Sequence, residues 1–186
     1  MDISVIAAIL IFIAVVLFWL IMSYNGFVKL RNSVEEAFAT MDVYLKKRAD
    51  LIPNLVETVK GYASHERDVL ENVTDARSLA AQAEAPKEKL EAEEAVSQTL
   101  RTLFAVAENY PDLKANTNFL QLQKQVEAVE EDIANSRKFY NAIVKMMNTR
   151  VEVFPSNLIA KMFHFKKQPM FQIDSQEDRK NVRIRF

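Results

Sequence analysis

The sequence predicts an all-α protein in which a single N-terminal transmembrane helix is followed by an antiparallel four-helix bundle. Three observations carry this reading. Ile3 to Met22 is a run of twenty residues with no charge and only Ser4 polar. Glycine and proline number 2 and 5 in 186 residues, too few to supply the turns of a hairpin-rich fold. From Phe27 onward apolar residues recur in steps of three and four, the repeat of one helical face.

The apolar run comes first. At ~1.5 Å per residue it makes a helix of roughly 30 Å, the thickness of a bilayer's hydrocarbon core. A cleaved secretory signal would need a basic start, a shorter apolar core and a small-x-small site. Here Asp2 is the only charge ahead of the run, and Ile21-Met22-Ser23-Tyr24-Asn25 offers no such site. Residues 1–23 therefore read as a retained anchor, spanning from Ile3 to Met22, with Trp19 and Tyr24 as interfacial aromatics on the domain side. Flanking cations favour a short N-terminus outside and a domain in the cytoplasm, because Lys29 and Arg31 lie beyond the span and none precedes it.

The helices of the domain, residues 24–155, follow in order. Leu30, Val34, Phe38, Met41 and Leu45 continue helix one straight out of the membrane. Pro53, which lacks an N–H and disfavours helical geometry at Ile52, predicts a kink or tight turn at Asp50-Leu51-Ile52-Pro53. Leu55, Val59, Tyr62, Val69, Val73, Ala76 and Ala80 make a second stripe that ends before Pro86. Leu90, Val96, Leu100, Leu103 and Ala107 make a third, closed by Asn109-Tyr110-Pro111-Asp112. The fourth is the most regular, running from Phe119, Leu122, Val126, Val129 and Ile133 to Tyr140, Val144, Met147, Val151 and Phe154, a spacing suited to knobs-into-holes packing.

Composition excludes much chemistry. With no cysteine there are no disulfides, thiolate metal sites or cysteine nucleophiles. Neither His65 nor His164 has a Glu three residues before it, so the Glu-x-x-His pairs of a di-iron bundle are missing. Ser64-His65-Glu66 reads as surface residues on a helix, where neighbours point about 100° apart. Glu93-Glu94 and Glu130-Glu131-Asp132 read as solvated faces. Two isolated glycines make no phosphate loop. The expectation is no catalytic residue, no metal, no cofactor and no small-molecule substrate.

Longer strings point to a family. Leu45-Lys46-Lys47-Arg48, Asp50-Leu51-Ile52-Pro53-Asn54-Leu55-Val56-Glu57-Thr58-Val59-Lys60-Gly61-Tyr62-Ala63, Ala107-Glu108-Asn109-Tyr110-Pro111-Asp112-Leu113-Lys114-Ala115-Asn116, Ser136-Arg137-Lys138-Phe139-Tyr140-Asn141 and Phe154-Pro155-Ser156-Asn157-Leu158-Ile159-Ala160 closely resemble the LemA family. The resemblance covers Tyr24 to Lys167, and Gln168 to Phe186 departs from it. It implies a bacterial, single-pass protein of the cytoplasmic (inner) membrane, with a helical bundle and no established catalytic activity. It also implies an accessory role near a membrane zinc metalloprotease in membrane protein quality control.

Among the polar residues, Asn109, Asp112 and Ser156 sit like helix caps. Continuing the pattern from Ile133 brings Arg137 near the seam, a candidate buried charge that needs Asp42, Asp50 or Glu57 as partner. Asn54, Glu57 and Lys60 form a candidate partner-binding face, or simply a polar exterior with Gly61 admitting a neighbouring helix.

Charge is divided along the chain. Residues 23–155 hold 17 Lys/Arg against 21 Asp/Glu, whereas the tail, 156–186, holds 7 against 3. In that basic amphipathic tail Lys161, Lys166 and Lys167 interleave with Leu158, Ile159, Met162, Phe163 and Phe165. Two readings fit: an interfacial helix on anionic lipid, or docking of the apolar side on the bundle. Val182-Arg183-Ile184-Arg185-Phe186 alternates as a strand; a lone strand is either disordered or paired with another chain, and the second outcome favours a homo-oligomer. An acidic bundle argues against nucleic acid as partner. The sequence thus predicts a membrane-anchored, non-enzymatic scaffold or interaction protein that assembles with itself, with a protease adaptor as the alternative.

Overall fold

A computed structural model describes residues 3–171, and every regular element in it is helical. The order is α1 (Ile3–Lys60), α2 (Arg67–Gln82), α3 (Pro86–Ala107), α4 (Pro111–Ala115), α5 (Thr117–Glu152) and α6 (Ser156–Met162). No strand occurs among the described residues. The strand-like segment Val182 to Phe186 lies outside them.

The first helix is 58 residues long, about 87 Å at ~1.5 Å per residue. Its leading segment is long and apolar enough to cross a membrane and is exposed as far as Trp19, after which Leu20 packs on the domain core. From Phe27 it turns one face inward, through Phe27, Val34, Ala37, Met41, Leu45, Arg48, Ile52, Leu55 and Val59.

The turn expected at Pro53 does not form, and α1 runs through it. A proline here removes the bond from position 53 to the carbonyl of Ala49. That carbonyl instead accepts from Arg77 Nε of α2 at 2.7 Å, so the backbone loses no partner. The chain turns eight residues later, at Gly61 to Glu66, where the Ala63 N–H bonds back to the Val59 carbonyl at 2.8 Å and Ala63 is buried. His65 therefore sits in an exposed turn and not within a helix. Gly61 admits no neighbouring helix either: an added Cβ would meet only the Thr58 carbonyl, at 3.5 Å.

The α3 stripe packs as its periodicity predicts, with Leu90, Val96, Leu100, Leu103 and Ala107 all buried. Asn116 caps α5, its Oδ1 accepting from the Phe119 N–H at 3.0 Å. Asn109 and Asp112 do not cap α4, whose N-cap is Tyr110. Ser156 works at the other polarity, donating to the Arg150 and Val153 carbonyls at the end of α5.

Packing divides the domain into two ends joined by a middle cluster of Met41 and Leu45 of α1, Leu90 of α3, and Val129 and Ile133 of α5. Far from the apolar segment, Ile52, Leu55 and Val59 of α1 share a core with Leu70 and Val73 of α2, Leu100 and Leu103 of α3, and Phe119 and Val126 of α5. Near it, α2 and α3 are absent, being 16 and 22 residues against the 36 of α5. There Phe27, Val34 and Ala37 pack on Tyr140, Val144 and Met147, and the C-terminal segment closes the core with Ile159 and Ala160.

That closure is specific. α6 ends with His164 at φ 59°, while the Phe165 N–H bonds to the Ala160 carbonyl at 2.9 Å and the His164 N–H to that of Lys161 at 3.4 Å, a Schellman cap. The reversal stacks Phe165 on Phe27, centroids 4.8 Å apart. The chain then runs back along α5, clamped by two side-chain amides seven residues apart. Asn148 exchanges two bonds with the backbone of Gln168, at 2.8 and 2.9 Å. Asn141 does the same with Phe171, at 2.9 and 3.0 Å. Tyr140 OH donates to the Pro169 carbonyl at 2.9 Å between them.

Candidate functional site

The deepest polar cluster is built around Arg48, which replaces an apolar residue in the α1 seam and is fully buried. From α3 come Glu93 and Ser97, four residues apart and so on one face; α5 supplies Glu130. Arg48 Nη1 donates to Ser97 Oγ and Glu130 Oε1, both at 2.6 Å. Its Nη2 donates to Glu93 Oε2 at 2.5 Å and to the Glu93 carbonyl at 3.0 Å. The reading of Glu93 and Glu130 as solvated face residues is thereby corrected: one is buried, and both close on a guanidinium. A guanidinium and carboxylates already engaged with one another make a lock between three helices, without a free base or nucleophile in the cluster. The adjoining cavity, lined by Asp42, Arg77, Lys89 and Glu93 among others, is about 70 Å³, room for a couple of water molecules.

Arg137 sits apart from that cluster. It pairs with Glu94 at 2.8 Å, not with Asp42, Asp50 or Glu57, and lies 4.7 Å over the Phe171 ring. Its side chain keeps 21 % exposure, against 0 % for Arg48. Asp42 pairs instead with Lys89, and Asp50 with Lys46 at 3.2 Å. Asn54, Glu57 and Lys60 are exposed along the last turns of α1, with no side-chain partner for any of them among the described residues.

The remaining sequence candidates gather at the end of the domain next to the apolar segment. Tyr24 packs on Phe163 and Phe165, at 4.7 and 5.9 Å between centroids. Lys161, Lys166 and Lys167 are all exposed, and Lys167 pairs with Glu152 of α5. Docking accounts for Ile159, Ala160 and Phe165, while Leu158, Met162 and Phe163 stay exposed. Phe154, placed in the seam by its spacing, is 74 % exposed, because α5 ends at Glu152 and the turn swings it outward.

Two features here escape sequence reasoning. The first is a ladder on the outer face of α5: Phe139, Ala142, Met146 and Thr149, spaced three and four apart and all exposed, with the exposed C-cap Val153 just beyond. The apolar-stripe count from Phe119 takes the inward face alone, so the second face goes unread. The second is Arg150, half-buried in the last turn of α5, whose guanidinium lies over the flat surface of Gly26, 5.2 Å above the Phe27 ring and 3.4 Å from the Ser23 carbonyl. It has no carboxylate partner among the described residues. Beside it opens a cavity of about 460 Å³ lined by Trp19, Met22, Ser23, Val153, Phe154 and Ser156.

No group of three or more His, Asp or Glu side chains is placed to hold a metal among the described residues. His164 serves the α6 cap, and His65 is solvent-exposed.

The chain matches the family model described as LemA family over residues 37–186. The match starts later than Tyr24 and continues through the tail, where the resemblance read from the sequence stops at Lys167. Similar proteins include Protein LemA of Metamycoplasma hominis, 23% identical over 82% of this chain and 70% of the relative. Magnetosome protein MamQ 2 of Paramagnetospirillum magneticum is 25% identical over 82% of this chain. Magnetosome protein MamQ of Magnetospirillum gryphiswaldense is 22% identical over the same share. The chain spans about two thirds of the MamQ proteins, 66% and 65% respectively.

Proposed function

The chain belongs to the LemA family, and from that premise we propose that it is a membrane-anchored, non-enzymatic interaction protein that assembles with itself at the bacterial cytoplasmic membrane. In this reading Ile3 to Met22 spans the bilayer, the N-terminus faces out, and the helices form an antiparallel bundle in the cytoplasm. The observation that carries self-assembly is the α5 ladder. Anchors in one bilayer hold every copy at the same height, so each ladder meets its own image in register. The three-four spacing is that of knobs-into-holes pairing, and Phe139 and Met146, each already about half-buried, contribute about 0.8–1.5 kcal/mol apiece on full burial before the cost of association.

The chain has no cysteine, which makes the test direct. Met146→Cys in native membranes is expected to form a disulfide dimer on mild oxidation, and Lys145→Cys, exposed but off the ladder, much less. Absence of dimer, or equal yields from both, refutes the reading.

A protease adaptor is the second reading, favoured by the exposed face of Asn54, Glu57 and Lys60 at the far tip, which has no side-chain partner among the described residues. A photocrosslinker at position 57 is expected to capture a membrane metalloprotease, and capture of none rejects it. Nucleic acid, cofactors and small substrates have no place in either reading.

A further inference from the structure

We propose that the corner between α1 and the α5–α6 turn is a binding site for one anionic phosphoglycerol lipid, with Arg150 holding the phosphate. The inference rests on the anchor reading, since it requires Ile3 to Met22 in the bilayer. The apolar segment ends at Ser23, and Arg150 is fixed at that level by its contact with the Ser23 carbonyl. Headgroup phosphates lie at the edge of the hydrocarbon core, so the guanidinium sits where the phosphates are.

Arginine suits the role, because its planar fork binds phosphate through two parallel N–H donors. Here the fork is pre-positioned and its charge is uncompensated among the described residues. Gly26 gives it a seat: an added Cβ would lie 2.6 Å from Arg150 Cζ. The Phe27 ring supports the guanidinium from one side, at 5.2 Å. The cavity of about 460 Å³ beside it has an apolar wall of Trp19, Met22, Val153 and Phe154, which suits the upper part of an acyl chain. Net negative charge on the lipid is selected because, among the described residues, nothing acidic lines the cavity.

Trp19 is the only tryptophan in the chain and lines this cavity, so its fluorescence reports the occupant. The full chain is placed in phosphatidylcholine bilayers containing a small fraction of brominated phosphatidylglycerol or, separately, brominated phosphatidylcholine. Quenching by the brominated phosphatidylglycerol is expected to correspond to about fivefold enrichment, the ~1 kcal/mol carried by one cation near the surface. Arg150→Gln is expected to abolish the preference and Arg150→Lys to retain part of it. Gly26→Val, which keeps the charge and fills the seat, is expected to reduce it strongly, and circular dichroism checks that each variant keeps its helices. Equal quenching by the two lipids overturns the proposal, as does a preference that survives Arg150→Gln, which would assign it to the tail lysines. A preference undiminished by Gly26→Val overturns the seat. Loss of the quenching on adding inorganic phosphate assigns the site to free phosphate and rejects the lipid. Absence of quenching by either lipid means that Trp19 is outside the bilayer, and the anchor reading fails with the site.

Discussion

Replacing Arg48 by methionine tests the polar lock. The side chain makes four hydrogen bonds at 2.5–3.0 Å, two of them to carboxylates, and is wholly buried. The methionine fills much of the volume, so the loss is electrostatic. It strands Glu93, only 6 % exposed, without its cation, and removing one partner of a buried pair costs about 3–5 kcal/mol. Glu130 adds little to that sum, because its side chain keeps 34 % exposure and rehydrates. For a domain of this size the loss lowers the melting temperature by roughly 6–20 °C. Thermal unfolding of the full chain in detergent, followed by circular dichroism, reads it. Glu130→Gln is expected to cost no more than about 1–2 kcal/mol. The double variant Arg48→Met with Glu93→Leu, which removes the stranded charge, is expected to recover a large part of the loss. A fall below about 1 kcal/mol for Arg48→Met, or no recovery in the double variant, refutes the account of the lock.

Arg77→Ala leaves the Ala49 carbonyl without a partner beside Pro53; a destabilisation of about 1–3 kcal/mol is expected, with faster amide exchange in α1 just beyond position 49. His164→Gly relieves the left-handed conformation at the α6 cap and is expected to stabilise by roughly 0.5–1 kcal/mol in denaturant titration. Asn141→Ala and Asn148→Ala each remove two bonds that hold the returning chain, and each is expected to speed proteolysis after Phe163 while the helical signal stays unchanged. Burial raises the Tyr140 phenol above its ordinary 10.0. The folded state thus prefers the neutral form, and its hold on Pro169 is intact below about pH 10 and weakens as pH rises towards the folded value. Alkaline pH is expected to loosen the same segment, and Tyr140→Phe to remove that pH dependence.

The seams of α3 and α5 were legible because apolar residues alone mark them. Arg48 is not, since a stripe counted on apolar residues passes over a charged one. Yet it falls in step with Met41, Leu45 and Ile52, and a count that ignores residue type places it inside. Local chemistry misleads at Pro53 for a related reason: its missing bond is supplied by Arg77, twenty-four positions later, and no window around the proline contains that residue. Arg150 was hidden too, because its seat is Gly26, at the other end of the domain in sequence. The amide clamps are written in the sequence as Asn141 and Asn148, one heptad apart. Their purpose emerges only when the chain returns beside them.

The unbroken α1 makes the domain a ruler as well as an attachment. From Met22 to Lys60 it measures roughly 57 Å along its axis at ~1.5 Å per residue, so Asn54, Glu57 and Lys60 stand some five nanometres from the end of the apolar segment. Anything these residues grip must itself rise to that height. Because shaft and apolar segment are one continuous helix, no loop intervenes between the far tip and the N-terminal run, and a displacement at one end is passed along the backbone to the other.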